Sequence, residues 1–292
     1  MRRLMILAPL IMLMLLMPYL FLPAHLDIST TKNSTDVGKN YDVGGGKCVG
    51  TLAFDDTSIY KKYAVIVGIG DYPGDDKDIY GDKDALFVYN YLLRCGFQPQ
   101  NITLLINSNA TVMSVTNALT QISSEISSLD EFVFYFSGHG TRYEGQSGIA
   151  LYDGVLWQRD LKEITDGIDA AKALFVFDSC FSGNFADYLP CIAIGGPNRI
   201  VVTSTGDWRF AYGSEEKGGI FTHYFFKKGL AEGLADEPPI GNGNGHVSVE
   251  EAFKYAYFMI KSGVAVKRVI SVRTRLIEAP RINDQYIGEF YI

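Results

Sequence analysis

Two stretches decide how this chain is read: Glu131-Phe132-Val133-Phe134-Tyr135-Phe136-Ser137-Gly138-His139-Gly140 and Ala173-Leu174-Phe175-Val176-Phe177-Asp178-Ser179-Cys180-Phe181-Ser182-Gly183. Each opens as an apolar run of strand length and ends in a short polar loop. Runs without polar alternation suit strands buried on both faces, the condition of a parallel sheet covered by helices. In such a sheet the loops at the carboxyl ends of the strands line the crevice where ligands bind. Two neighbouring strands of this kind would place the His139 imidazole and the Cys180 thiol in one cleft. A cysteine nucleophile needs that arrangement, because the thiolate attacks and a nearby imidazole activates it. Taken singly, Cys180 reads as a small buried hydrophobe and His139 as a turn residue. Their shared context of apolar strand, polar pivot and glycine favours a joint catalytic role. Gly138 and Gly140 around the histidine, and Gly183 after the cysteine, would allow unusual dihedrals and a close approach to substrate.

Working outward, 63–69 is another wholly apolar run, and 84–94 reads as a helix stopped near Gly96. A short strand is expected at 102–106. Val112, Val115, Leu119, Ile122 and Ile126 are spaced as on a helix over 111–126. A polar insertion follows His139, then a helix near 156–164. Beyond Cys180 come a strand at 199–203, a helix over 221–234 and a last helix opened by the capping box Ser248/Glu251. Residues 286–292 are taken as an edge strand. Strands alternating with helices imply an α/β fold with a mostly parallel central sheet of about six strands and helices on both faces.

The chain has 292 residues, 47% hydrophobic and 20% charged, with a net charge of −7. That balance describes a globular protein and, with no basic run, argues against a nucleic-acid partner. Met1-Arg2-Arg3 precedes an uncharged apolar stretch over 4–22. This marks residues 1–24 as an export signal or a membrane anchor, and the two readings stay open. Either places the rest outside the cytoplasm, secreted or attached to the membrane through 4–22. Residues 25–50, ending in Gly44-Gly45-Gly46, read as a flexible linker or pro-segment, and 51–292 as one catalytic domain. Sequons at Asn33, Asn101 and Asn109 fit export. If Cys180 stays unpaired, Cys48, Cys95 and Cys191 allow at most one bridge, and the sequence does not choose its members.

Other signals are weaker. Gly68-Ile69-Gly70 follows a strand, but the third glycine of a dinucleotide fingerprint would fall on Pro73. No Walker motif, CxxC or HxxxH pair is present, so no metal site is expected. The run 242–251 is similar to the second half of an EF-hand loop, yet its first ligand position falls on Ile240. A polar turn before a capped helix is the preferred reading; calcium stays an option there and is not predicted. Ser137 and Ser182 lack the Gly-x-Ser-x-Gly elbow of a serine hydrolase.

Ser137-Gly138-His139-Gly140 and Asp178-Ser179-Cys180-Phe181-Ser182-Gly183 resemble the histidine and cysteine motifs of caspase-like peptidases, metacaspases above all, with legumain-like enzymes as cousins. Gly68-Ile69-Gly70-Asp71-Tyr72, Asp84-Ala85 and Gly219-Ile220-Phe221-Thr222 resemble further family segments in the same order. The similarity covers roughly 60–235. It implies a cysteine endopeptidase that takes a peptide or protein substrate; no cofactor is predicted. Cys180 would be nucleophile and His139 general acid/base, with the oxyanion held by the N–H groups of Gly140 and Cys180. It also implies an S1 pocket built from Asp84, Asp178 and Ser137, where two carboxylates would call for a basic P1 residue, Arg or Lys. For Asp178 the plainer reading is a cap on the helix that follows. Phe181 stands where metacaspases often carry His, and export is closer to the legumain relatives. Cleavage after Asn is the alternative specificity, and a non-catalytic scaffold on the same fold the alternative class.

Overall fold

The computed structural model describes residues 60–74, 79–189, 192–262 and 278–292. The expected signal or anchor over 4–22, the linker over 25–50, Asn33, Cys48 and Cys191 lie outside the described residues. Among the described residues no helix is long and apolar enough to cross a membrane.

In chain order the elements are β1 (Lys62–Gly68), α1 (Gly81–Arg94), β2 (Ile102–Ile106), α2 (Val112–Glu125), β3 (Glu131–Ser137), β4 (Gly140–Tyr143), β5 (Gln146–Ala150), β6 (Val155–Trp157), α3 (Gln158–Thr165), β7 (Lys172–Asp178) and β8 (Arg199–Thr203). Then come two short strands, β9 (Gly213–Ser214) and β10 (Gly218–Gly219). A turn of α-helix, α4 (Ile220–Thr222), runs on as a π-helix over His223–Ala231, and α5 (Val249–Lys261) and β11 (Arg281–Asp284) follow. The central sheet has the order β11-β8-β7-β3-β1-β2. All its pairings are parallel except β11 on β8.

Successive side chains of the middle strands alternate between two cores, as the pleat requires. Val65, Val67, Phe132, Phe134, Phe136, Phe175 and Phe177 face the core under α2 and α3. Ala64, Ile66, Val133, Tyr135, Leu174 and Val176 face the core under α1, α5 and the π-helix. The expected sheet with helices on both faces is therefore present. At the amino ends of three neighbouring strands Glu131 pairs with Lys62 at 3.3 Å and Lys172 at 3.1 Å.

Four local expectations need correction. The sixth strand is Arg281–Asp284; residues 286–292 form no strand, and Gln285 ends the ladder on Arg199 instead. Leu156 lies in β6, not in a helix, and α3 begins at Gln158. The "polar insertion" is a small antiparallel sheet, β4-β5-β6, turned at Glu144 and Gly145, whose φ values of 47° and 81° suit a two-residue hairpin loop. The helix expected over 221–234 is mostly π-helical and closes at Ala231. Both capping boxes, Thr111/Ser114 and Ser248/Glu251, are formed.

The run 242–251 is a polar turn before a capped helix. Glu251 spends its carboxylate on the N–H groups of Asn242 and Ser248, and Asp236 takes those of Asn244 and Gly245. Among the described residues no group of three or more His, Cys, Asp or Glu is arranged to hold a metal ion.

Candidate active site

The register of the two central strands positions the pair. β3 and β7 run parallel with Ser137 opposite Asp178, so His139 and Cys180 each lie two residues beyond a matched pair. The Gly138 N–H donates to the Asp178 carbonyl at 3.3 Å, carrying the ladder past the strands. Adjacent parallel strands lie about 4.8 Å apart, so the loops leave the sheet side by side. The closest approach falls at Gly140: a Cβ there would sit 1.9 Å from the Cys180 carbonyl oxygen and 2.8 Å from Ser179 Oγ. Glycine is required at 140 for contact. Neither Gly138, Gly140 nor Gly183 has a positive φ; that conformation falls to Phe181, at φ 57°. Non-glycine residues held there are strained and cluster at functional sites.

Both reactive side chains are partly exposed. The His139 ring lies 4.7 Å from the Tyr72 ring, centroid to centroid. The Tyr72 hydroxyl accepts the His139 N–H at 2.8 Å and donates to the Ala150 carbonyl at 2.9 Å. Cys180 is free, and Cys95 is disulfide-bonded. Sγ accepts the Ala211 N–H at 3.4 Å. Imidazole and thiol are not hydrogen-bonded to each other, and such contacts often close only when substrate binds.

Burial pushes the Cys180 thiol above its ordinary value, and the nearby Asp178 and Glu278 charges push the same way, against the Ala211 N–H. Since the thiolate is the reactive form, alkylation of the substrate-free protein by iodoacetamide is expected to keep accelerating as pH rises through the ordinary thiol range. A plateau at or below neutral pH, measured by mass spectrometry of the Cys180 peptide, would contradict this.

The cysteine loop is braced from two sides. Ser204 Oγ accepts the Ser179 N–H at 3.1 Å, and Thr205 Oγ1 donates to the Ser179 carbonyl at 3.1 Å. The small sheet supports the other side: Ser147 Oγ donates to the Phe181 carbonyl, and Asn184 Nδ2 to that of Gly145 at 2.8 Å.

The three residues expected to line S1 are brought together. Asp84, Ser137 and Asp178 are 0%, 4% and 5% exposed. Ser137 Oγ donates to Asp84 Oδ2 at 3.4 Å. The Gly219 N–H also donates to Asp84 Oδ2, at 2.7 Å, and a Cβ on Gly219 would lie 2.4 Å from Asp178 Oδ2 and 2.9 Å from Asp84 Oδ2. Asp178 does not cap the turn that follows it. It accepts the N–H of Thr222 at 3.0 Å and its hydroxyl at 2.7 Å, where α4 passes into the π-helix.

The structure adds a cation the sequence reading missed. Lys227 Nζ pairs with Asp84 Oδ1 at 3.0 Å and donates to the Lys217 carbonyl at 2.9 Å. Even so, burial first and the neighbouring Asp178 charge second raise Asp84 to about 7, while Lys227 and the Gly219 N–H hold it down. Burial likewise raises Asp178. A third carboxyl, Glu278, is 6% exposed and accepts the Tyr212 N–H at 2.9 Å. Tyr72 was legible only as part of a loop; Lys227 and Glu278 carried no spacing signal.

This fold and this pairing of loops define a class. The caspase domain family matches residues 61–235, and the chain belongs to that family. Among curated proteins it is similar to metacaspase-4 and metacaspase-7 of Arabidopsis thaliana, each 28% identical over 145 residues, or 43% of this chain. Those matches cover 34% and 36% of the relatives, so the likeness reaches about a third of their length. Among solved structures, the Drosophila initiator caspase Dronc superposes with a TM-score of 0.55 at 15% identity, covering 84% of this chain and 92% of that one. A Geobacter sulfurreducens protein superposes with a TM-score of 0.53 at 16% identity, covering 76% and 92%. Both likenesses speak for the fold.

Proposed function

We propose that the protein is a cysteine endopeptidase that cleaves peptide bonds after Arg or Lys. The observation that carries this is the β3–β7 register, which sends His139 and Cys180 out of the sheet on adjacent loops. Cys180 Sγ attacks the scissile carbonyl carbon as its proton passes to His139. The N–H groups of Gly140 and Cys180 hold the developing oxyanion, often the largest single catalytic contribution. His139 then protonates the leaving amine, and water, deprotonated by the same imidazole, hydrolyses the thioester.

Basic specificity is supported by Asp84, Asp178 and Ser137 gathered beside the cysteine loop. The Lys227–Asp84 pair favours one competitor, a neutral P1 Asn, because it already supplies a cation to that carboxylate. A fluorogenic panel differing only at P1 (Arg, Lys, Asn, Asp) separates the readings. At least a tenfold higher kcat/KM for Arg or Lys is expected. A preference for Asn or Asp would overturn the basic specificity while leaving the peptidase intact. A scaffold would cleave none of the four.

We also propose an extracytoplasmic location. The charged and then apolar N-terminal sequence supports it, as does the Cys95 disulfide, since such bonds persist in oxidising compartments.

A further inference from the structure

Glu278 is the group beside the thiol that the chemistry above leaves unused. Its Oε1 is occupied by the Tyr212 N–H, but Oε2 is buried with no hydrogen-bond partner. Buried polar atoms are nearly always paired, so an exception asks for a reason. Its place suggests one. Tyr212 directly follows Ala211, whose N–H reaches Cys180 Sγ. The Tyr212 carbonyl accepts the Ile220 N–H at 2.8 Å, one residue past the Gly219 amide that binds Asp84. The Glu278 carboxyl is near enough to both Asp178 and Cys180 for their charges to interact.

The other two acids are largely engaged. Asp84 holds Lys227 on one oxygen and the Gly219 N–H on the other. Asp178 holds the N–H and hydroxyl of Thr222. Glu278 Oε2 is left as the cluster's unpartnered acceptor among the described residues. We propose that Glu278 determines specificity at this site: its free Oε2 accepts an N–H of the P1 guanidinium. This rests on the peptidase reading above. A guanidinium carries five donors in a planar fork and can span Glu278 and a second acceptor, whereas an ammonium is a compact point charge. Arg is therefore expected to be preferred over Lys.

The test uses the full chain and peptides differing only at P1: Arg, Lys and citrulline, the uncharged analogue of Arg. Wild-type protein should prefer Arg over both others. Glu278→Gln should lose about 10- to 100-fold in kcat/KM on the Arg peptide, the loss of one charge-assisted hydrogen bond. Most of that should appear in KM, and the loss on citrulline should be much smaller, so that the Arg-to-citrulline ratio of kcat/KM falls. Cys180 should still be alkylated by iodoacetamide, at least as readily as in wild type, because a charge that raises its thiol is gone. Equal kcat/KM on Arg in both proteins would overturn the inference, and so would equal losses on Arg and citrulline, the mark of a merely structural role. If the Gln variant does not fold, the same Arg-to-citrulline ratio in Glu278→Asp decides. Wild-type cleavage after Asn or Asp alone would remove the inference together with the basic specificity. An inert Cys180 and no cleavage of any peptide would instead defeat the peptidase reading itself.

Discussion

Cys180→Ala is expected to abolish peptide hydrolysis while leaving the fold in place. Removing the nucleophile of a comparable catalytic unit costs about a million-fold in kcat, which puts the variant below detection in a fluorogenic assay. The fold should survive because the side chain is partly exposed and Sγ makes only weak polar contacts, both to the Ala211 backbone. A melting temperature within a few degrees of wild type would confirm that chemistry alone was lost. Residual turnover above about one per cent of wild type would remove Cys180 from the nucleophile's role.

Gly140→Ala should be nearly as damaging by a different route. The added Cβ would lie 1.9 Å from the Cys180 carbonyl oxygen and 2.8 Å from Ser179 Oγ, so backbone has to move. The cysteine loop is fixed through Ser204, Thr205 and Ser147, and the histidine loop through Tyr72 and the β4–β5 ladder. Whichever loop yields, thiol, imidazole and the N–H groups of Gly140 and Cys180 lose their relative placement. A displacement of about 1 Å is enough for a hundredfold loss, so kcat should fall at least that far. Overpacking of this kind also costs about 1–3 kcal/mol of stability, readable as a lowered denaturant midpoint. Wild-type kinetics in this variant would mean that the two loops are not in contact.

The sheet and its central pair were legible in the sequence because they rest on patterns the backbone enforces. Phe132 to Phe136 and Ala173 to Phe177 are apolar without interruption, which only a doubly covered strand tolerates, and the polar loop after each strand has one place to go. Asp84 and Asp178 were reached through resemblance, and the burial that raises Asp84 is a tertiary fact. The β4–β6 sheet was missed because its turn is Glu144-Gly145, a weak hairpin signal beside Asn-Gly or Asp-Gly. Lys227 sits next to Lys228 and reads as a solvated helix face. Lys228 does pair with Glu232 near the surface, but Lys227, one residue earlier on the π-helix, reaches the buried Asp84. Glu278 lies outside any periodic pattern, and its contact with Tyr212 spans 66 residues of sequence.

The catalytic loops also show how strain and support are divided. Phe181 holds the left-handed conformation directly after the cysteine. Its N–H donates to the Arg209 carbonyl at 2.8 Å, and its carbonyl accepts from Ser147. Its ring meets that of Phe210 edge-on at 5.0 Å. Contacts on both backbone groups and the ring can hold an unfavourable dihedral that the residue alone would not keep.

The central claim, that Cys180 and His139 act on one scissile carbonyl, is tested most directly by trapping. A peptide ending in a P1 arginine chloromethyl ketone should label wild-type protein with one adduct, mapped by mass spectrometry to Cys180. His139→Ala should slow that labelling by at least about a hundredfold, the size of a general acid/base contribution. An adduct on another residue, or labelling of Cys180 at the same rate without the imidazole, would contradict the account.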